Sequence, residues 1–325
     1  MKLKLLALTW LGVLLLAEVA FGAVPAKFEM PFTAASREDA LAWQQRARAR
    51  LLELVEKQAP RARPADVPID QVGARHAVHL REAQDRGEYT LYPATFQGND
   101  KTGVSVLLTV PKGPGPFPAM VCLHGHGGAA GKVFDPKECY HAFADRFARG
   151  GYVVLAPSLL HRKYAATALW DLMRCVDILA SRPDVDAERI GAAGLSMGGE
   201  WTMWLAACDP RVKAAVISGW MCTTAGVFSV PNCECWALPG FVELMDVCEV
   251  NLLIAPRPVL FESADADGCF PVRYTKEGFA RLRAGYKVFG AETGAVHDVF
   301  PGVYEWHGTL AFPFIDKALG GHAAK

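Results

Sequence analysis

Short apolar runs alternate with helix-like stretches along most of this chain, and the alternation begins at Val104. The runs that predict strands are Val104–Val110, Ala119–Leu123, Tyr152–Ala156, Ile190–Leu195, Ala214–Ser218, Pro258–Glu262 and Ala295–Phe300. The stretches that predict helices are Tyr140–Arg149, Ala166–Ser181, Ser196–Cys208, Arg273–Leu282 and Leu310–Leu319. Buried strands that alternate with helices predict an α/β protein whose mostly parallel central sheet carries helices on both faces.

The pattern before Val104 is different. Ser36 and Asp39 have the spacing of a capping box ahead of a helical run that ends near Gln58. The arginines that we expect on the solvated side of this helix are Arg46, Arg48 and Arg50.

Two alternating segments, Ala77–Arg81 and Tyr89–Phe96, predict antiparallel strands at an edge of the sheet. No internal repeat is visible. We therefore interpret residues 23–100 as an N-terminal elaboration that forms a single domain with the α/β core at 101–325.

The first 22 residues have the layout of a secretory signal peptide. Lys2 and Lys4 precede an apolar run from Leu5 to Leu16, and the small-x-small sequence Ala20-Phe21-Gly22 follows it. An uncleaved membrane anchor is the alternative, but the run is shorter than a comfortable bilayer span. We predict a secreted or periplasmic protein without a stable membrane span after cleavage.

Composition narrows the range of partners. The chain has 34 basic and 34 acidic residues and 51% apolar residues. Such a balanced chain lacks the electrostatic footprint of a protein that binds nucleic acid or an anionic membrane surface. A small neutral partner is the better expectation.

The cysteines number nine, so at least one thiol stays unpaired even if export allows disulfides. Those that fall within one stretch are Cys222, Cys233, Cys235 and Cys248. Their spacing differs from the CxxC pairs of zinc sites, so a bridge or plain loop packing is the favoured interpretation. We predict no metal and no cofactor.

Gly194-Leu195-Ser196-Met197-Gly198 joins a predicted strand to a predicted helix. A nucleophile on such a sharp turn sits on a strained backbone, and glycines two positions on either side let neighbouring chains pass closely. The N-terminus of the following helix stabilises negative charge beside the hydroxyl. Ser196 is therefore the predicted nucleophile.

A second glycine-rich segment, His124-Gly125-His126-Gly127-Gly128, follows the strand Ala119–Leu123. A loop in this position can offer a backbone N–H to an oxyanion, with the second donor from Met197, the residue after the nucleophile. We predict His126 as the first donor, through its backbone, and a structural role for His124. No carboxylate or third histidine lies close in sequence, which argues against a catalytic metal.

The acid of the site is expected after the next-to-last strand, where Asp265 and Asp267 precede Phe270-Pro271. Asp267 is the better candidate from this local pattern, and Asp265 is the alternative, with turn capping as its simpler role.

Several segments resemble the acetyl xylan esterase/dienelactone-hydrolase-like branch of the α/β-hydrolases, over about two thirds of the chain. The segments that carry this resemblance are Leu169-Trp170-Asp171-Leu172-Met173-Arg174, Ser181-Arg182-Pro183-Asp184-Val185-Asp186, Arg189-Ile190-Gly191, Ser196-Met197-Gly198-Gly199-Glu200, Asn232-Cys233-Glu234-Cys235, Leu238-Pro239-Gly240 and Leu253-Ile254-Ala255-Pro256-Arg257-Pro258. The resemblance implies the α/β-hydrolase fold and a Ser–Asp–His hydrolase that acts on an ester, with Asp267 as its acid.

The chain departs from these relatives at the histidine. The usual position after the last strand holds Tyr304, and a phenol with a pKa near 10 is a poor general base at neutral pH. His307 lies three residues further on and is the predicted base. His297, inside the last strand, is the alternative, whereas His322 lies in the expected frayed tail. A site without any histidine base remains the third possibility.

The preferred function from sequence is hydrolysis of carboxylic esters, such as acetyl esters on polysaccharides. Trp220 and Trp236, next to predicted strand ends, are the candidate stacking platforms for a sugar, whereas Trp204 is expected in the core. Two alternatives remain open. One is a catalytically silent ligand-binding protein that lacks a competent base, and the other is an exported peptidase.

Overall fold

The computed structural model describes residues 24–61 and 79–320. Its strands form a ten-stranded sheet in the order β1-β3-β4-β6-β5-β7-β8-β9-β10, with β2 paired to β3. The strands are β1 (His79–Leu80), β2 (Gln84–Asp85), β3 (Tyr89–Gln97), β4 (Gly103–Pro111), β5 (Phe117–Leu123), β6 (Val153–Pro157), β7 (Val185–Leu195), β8 (Val212–Ser218), β9 (Val259–Ala264) and β10 (Ala295–Phe300).

The strands from β5 to β10 pair with one another in parallel, whereas every pair that involves β1 to β4, including β4 with β6, is antiparallel. The predicted mostly parallel sheet with an antiparallel edge is therefore confirmed. Because the carboxyl ends of parallel strands lie at one edge of the sheet, the loops that follow β5 to β10 gather there.

Helices cover both faces of this sheet. They are α1 (Arg37–Gln58), α2 (Phe143–Arg149), α3 (Leu169–Ala180), α4 (Met197–Cys208), α5 (Thr224–Phe228), α6 (Phe241–Leu244), α7 (Val247–Val250), α8 (Val272–Val288) and α9 (Ala311–Leu319). Side chains of α1, α3, α4 and α8 share one apolar core, and those of α2 and α9 share the other. Both predicted helix layers are present.

Helix α1 is part of the core, which corrects one expectation for its polar side. Ser36 caps the helix, because its Oγ accepts the Asp39 N–H at 3.1 Å. Arg48 was expected in solvent, yet it donates to the carbonyl oxygens of Ala207 (2.7 Å) and Leu253 (2.8 Å). Gln44 likewise bonds the Leu252 carbonyl at 2.6 Å. The reason is that α1 packs on α4 and on the segment before β9, so its polar groups satisfy carbonyls that would otherwise be buried unpaired.

The predicted signal peptide, residues 1–22, lies outside the described residues. Within the described parts of the chain, none of the helices has the length and apolar character needed to cross a bilayer.

Candidate active site

Ser196 sits at the turn between β7 and α4 with φ +67° and ψ −129°. A residue with a Cβ holds such a conformation at a cost of about 1–3 kcal/mol, which the surrounding structure must compensate. The surroundings are tight: a Cβ on Gly194 would collide with the Gly198 backbone, and one on Gly198 would collide with the Leu123 carbonyl. The glycines therefore permit the predicted nucleophile turn.

The loop after β5 packs directly against this turn. A Cβ on Gly125 would lie 2.8 Å from the Ser196 Cβ, and the Gly125 N–H donates to the Tyr140 hydroxyl at 2.6 Å. Met197 is the first residue of α4, where helical N–H groups have no intrahelical partner. Met197 and His126 as oxyanion donors remain predictions.

His124 has the structural role expected of it. Its Nε2 accepts the Leu159 N–H at 3.1 Å, so Nδ1 carries the proton and donates to the Gly125 carbonyl at 2.8 Å. Burial lowers the pKa of this imidazole. His124 therefore fixes the loop as a neutral side chain.

Asp267 lies in the loop after β9 and is largely buried. Its Oδ1 accepts the N–H groups of Cys269 (2.7 Å) and Phe270 (2.9 Å). Burial raises its pKa, and these two hydrogen bonds oppose that shift. Asp265 is exposed and accepts the Gly302 N–H at 3.1 Å, which fits its alternative role as a turn residue.

Tyr304 occupies the position where the sequence resemblance predicts a histidine. Its hydroxyl donates to the Gly219 carbonyl at 3.2 Å and lies beside the Ser196 hydroxyl. Burial raises the pKa of this phenol well above 10, the neighbouring Ser196 hydroxyl partly opposes the shift, and the nearby Asp267 carboxylate adds to it. The phenol is therefore neutral at physiological pH.

His307, the predicted base, does not contact Ser196. Its Nδ1 lies 2.7 Å from Asp298 Oδ2, its Nε2 lies 3.1 Å from Thr309 Oγ1, and its ring stacks on Phe300. The cause is the loop path: Glu262 accepts the backbone N–H groups of His307 (3.3 Å) and Gly308 (2.7 Å). These contacts turn the imidazole toward β10, so the expected Ser196–His307 contact is wrong for this conformation.

The alternative base, His297, also lies elsewhere. Its Nε2 is 3.0 Å from Ser263 Oγ and its ring packs on Phe279, with burial lowering its pKa to about 4. Between residues 24–61 and 79–320, no histidine hydrogen-bonds with Ser196. His322 falls outside the described residues.

The two tryptophans predicted as sugar platforms are buried. Trp220 is 6% exposed and packs edge-on against Phe270, and Trp236 is 4% exposed and packs against Phe228. An indole that is covered by protein has no free face for a sugar ring, so the platform prediction is wrong for this conformation. Trp204 is fully buried, as expected of a core residue.

All nine cysteines are unbridged, and the four of the stretch 222–248 separate into two kinds. Cys222 and Cys248 are buried in apolar packing, whereas Cys233 and Cys235 lie beside the histidines of two other loops. One of these histidines, His161, was not singled out from the sequence. The sequence also gave no reason to expect Tyr140 beside the nucleophile turn.

The sheet order and the serine turn together define the α/β-hydrolase fold. Residues 104–219, which include the turn, match the model described as Dienelactone hydrolase family. The chain is 28% identical to Putative hydrolase YtaP of Bacillus subtilis (strain 168), over 46% of this chain and 60% of YtaP. The family match agrees with the resemblance to the dienelactone-hydrolase-like branch, and the chain spans 60% of the length of YtaP.

Solved structures share the fold at low identity. Methylesterase BT1017 superposes with a TM-score of 0.68 at 18% identity, covering 89% of this chain and 66% of its own. The Glucuronoyl Esterase from Solibacter usitatus gives 0.64 at 17% identity, covering 86% of this chain and 93% of its own. The Acetyl xylan esterase from Paenibacillus sp. R4 gives 0.54 at 18% identity, covering 89% and 98% respectively.

Proposed function

We propose that this protein is an exported serine hydrolase that cleaves carboxylic esters, with Ser196 as its nucleophile. The observation that carries the proposal is the backbone conformation of Ser196, whose φ is +67°. The glycines around it, Gly125, Gly194 and Gly198, pack so closely that none of them has room for a Cβ. A strained residue of this kind is characteristic of a reacting group, because an ordinary turn would relax.

The reaction follows the acyl-enzyme pattern. Ser196 Oγ attacks the ester carbonyl, and the N–H groups of Met197 and His126 stabilise the resulting oxyanion. The Ser196 proton passes to the group beside it and then to the departing alkoxide, which leaves as an alcohol. Water clears the acyl group by the same steps, so no cofactor is required.

The group beside Ser196 is Tyr304, and this distinguishes the site from a Ser–His–Asp triad. The neutral phenol donates its hydrogen to the Gly219 carbonyl, so a lone pair of its oxygen is left to accept the Ser196 hydrogen. Proton removal requires the phenolate, which is scarce at neutral pH because the pKa is raised. We therefore propose a slow esterase whose rate increases with pH.

Esters on carbohydrates are the proposed substrate class. Support comes from the names of the structural neighbours, which include an acetyl xylan esterase and a glucuronoyl esterase, and from the balanced charge of the chain. Export is proposed from the layout of residues 1–22. Acetylated xylan, a methyl glucuronate ester and p-nitrophenyl acetate would rank the acyl and alcohol preferences, and an aminoacyl anilide would test the peptidase alternative.

A fluorophosphonate probe tests the nucleophile directly. We expect time-dependent labelling of the wild type at Ser196, loss of labelling in Ser196→Ala, and unchanged labelling in Ser105→Ala, an exposed serine on β4. Circular dichroism would verify that each variant is folded. Equal labelling of wild type and Ser196→Ala would refute the assignment.

A silent ligand-binding protein is the second candidate, and the occupancy of the base position by Tyr304 favours it. The two candidates differ in turnover. The esterase releases p-nitrophenol continuously from p-nitrophenyl acetate in a Ser196-dependent way, whereas the binding protein releases none above the Ser196→Ala background.

A further inference from the structure

Four metal-ligating side chains from three different loops meet at the carboxyl edge of the sheet. His126 follows β5, His161 follows β6, and Cys233 and Cys235 lie in the long loop after β8. Their ligand atoms all lie within 4.8 Å of one another. Of these four residues, Cys235 belongs to an apolar core, and the other three lie outside both cores.

The pairwise geometry matches a tetrahedral zinc site. His126 Nε2 lies 3.3 Å from Cys235 Sγ, and His161 Nε2 lies 3.3 Å from Cys233 Sγ. In a tetrahedral site with Zn–S near 2.3 Å and Zn–N near 2.0 Å, adjacent sulfur and nitrogen ligands are about 3.5 Å apart. Both observed pairs fall within a few tenths of an ångström of that separation.

The ligand types indicate which metal fits. Two thiolates with two imidazoles at a four-coordinate position form the set that Zn²⁺ favours, whereas Mg²⁺ and Ca²⁺ require oxygen ligands. Four protein ligands also leave no open position for water, which is the mark of a structural zinc site rather than a catalytic one.

We propose that His126, His161, Cys233 and Cys235 bind one structural Zn²⁺ ion. The ion fastens the loops after β5, β6 and β8 to one another. His126 is also the residue whose backbone N–H is assigned to the oxyanion hole, so the metal holds that loop beside Ser196. Metal binding itself does not depend on ester hydrolysis, and it is therefore tested on its own readout.

The test measures metal content and coordination. Full-length protein is purified with a thiol-free reductant from zinc-supplemented medium, desalted, and analysed by plasma mass spectrometry. We expect one zinc per chain in the wild type and in Ser196→Ala, so that failure of the hydrolase proposal leaves this result unaffected. Replacement by Co²⁺ should give the intense visible bands of tetrahedral cobalt with thiolate ligands.

Two ligand variants and one control make the assignment specific. Cys233→Ser and His161→Gln, which change exposed side chains, should lose stoichiometric zinc and the thiolate-to-cobalt charge-transfer band. Cys139→Ser, an exposed cysteine outside the cluster, should retain both. A chelator should lower the Tm of the wild type but not of Cys233→Ser.

Three results would overturn the proposal. They are wild-type protein without zinc under these conditions, a Cys233–Cys235 disulfide found by peptide mass spectrometry in reductant-treated protein, and zinc content that is unchanged in both ligand variants.

Discussion

The two halves of the candidate active site are constrained in different ways. On the nucleophile side, Gly194, Gly198 and Gly125 let backbone segments touch, and an added Cβ on any of them would meet another atom at closer than contact distance. On the base side, the loop at 301–308 is held by hydrogen bonds to Glu262, and it presents Tyr304 where the sequence resemblance predicts a histidine. Backbone packing preserves the first half, whereas a single side chain changes the chemistry of the second.

Restoring an imidazole on the base side should produce the largest effect. Tyr304→His places a base with a pKa near neutrality beside Ser196, and a positioned general base contributes roughly 10²–10⁴-fold to rate. We expect kcat/KM for p-nitrophenyl acetate to rise by that order.

The pH profile gives a second readout for the same variant. The wild-type rate should climb continuously toward pH 10, because the active phenolate fraction increases up to a pKa that lies above 10. Tyr304→His should reach a plateau near pH 7–8. Equal rates and parallel profiles for the two proteins would show that residue 304 does not handle the proton.

A substitution that displaces the nucleophile turn should have the next largest effect. In Gly198→Ala the new Cβ would run into the Leu123 carbonyl, so we expect a loss of about 1–3 kcal/mol in the free energy of unfolding. Displacing Ser196 by even 1 Å should slow fluorophosphonate labelling by about 100-fold. Gly131→Ala is the matched control, because a Cβ there meets nothing within 4 Å. A more stable Gly198→Ala, as helix propensity alone would give, would contradict this description.

Glu262, which holds the loop at 301–308, should make the stability of the protein depend on pH. Burial raises the pKa of Glu262 to about 7, so the native state holds its proton more tightly than the unfolded state does. Its contribution to stability is complete below about pH 4.3 and declines as pH rises toward 7. Glu262→Gln does not titrate, so urea denaturation should show the difference in unfolding free energy between the two proteins changing by on the order of 3–4 kcal/mol over that interval. Parallel stability curves would argue that Glu262 is ionised throughout.

The smallest effect is expected at His307. Its imidazole faces Asp298, so His307→Gln should leave the labelling rate of Ser196 within about 2-fold of wild type and should cost about 1 kcal/mol or less. A loss of labelling as large as that of Ser196→Ala would return His307 to the role that the sequence predicted.

The sequence predicted the scaffold well because each strand and helix has its own periodicity. Every strand from β4 to β10 and the cap at Ser36 follow from local patterns. The identity of the base could not be predicted in this way. It depends on the path of the loop at 301–308, and that path is set by hydrogen bonds from His307 and Gly308 to Glu262, which lies 45 residues before His307 in the chain.

The burial of Trp220 and Trp236 and the approach of His161 to Cys233 depend on the packing of separate loops at one sheet edge. Local spacing predicts neither. Spacing along the chain does not indicate the cluster of His126, His161, Cys233 and Cys235 either, because these side chains come from three loops.

The packing of α1 against the rest of the core affects how the chain folds. Gln44 is bonded to the carbonyl of Leu252, 208 residues further on. A chain that emerges N-terminus first leaves the apolar face of α1 without its partners until most of the sequence has followed. Contacts of such separation form late and slowly, and the uncovered helix is a site for chaperone binding or misassembly in the meantime.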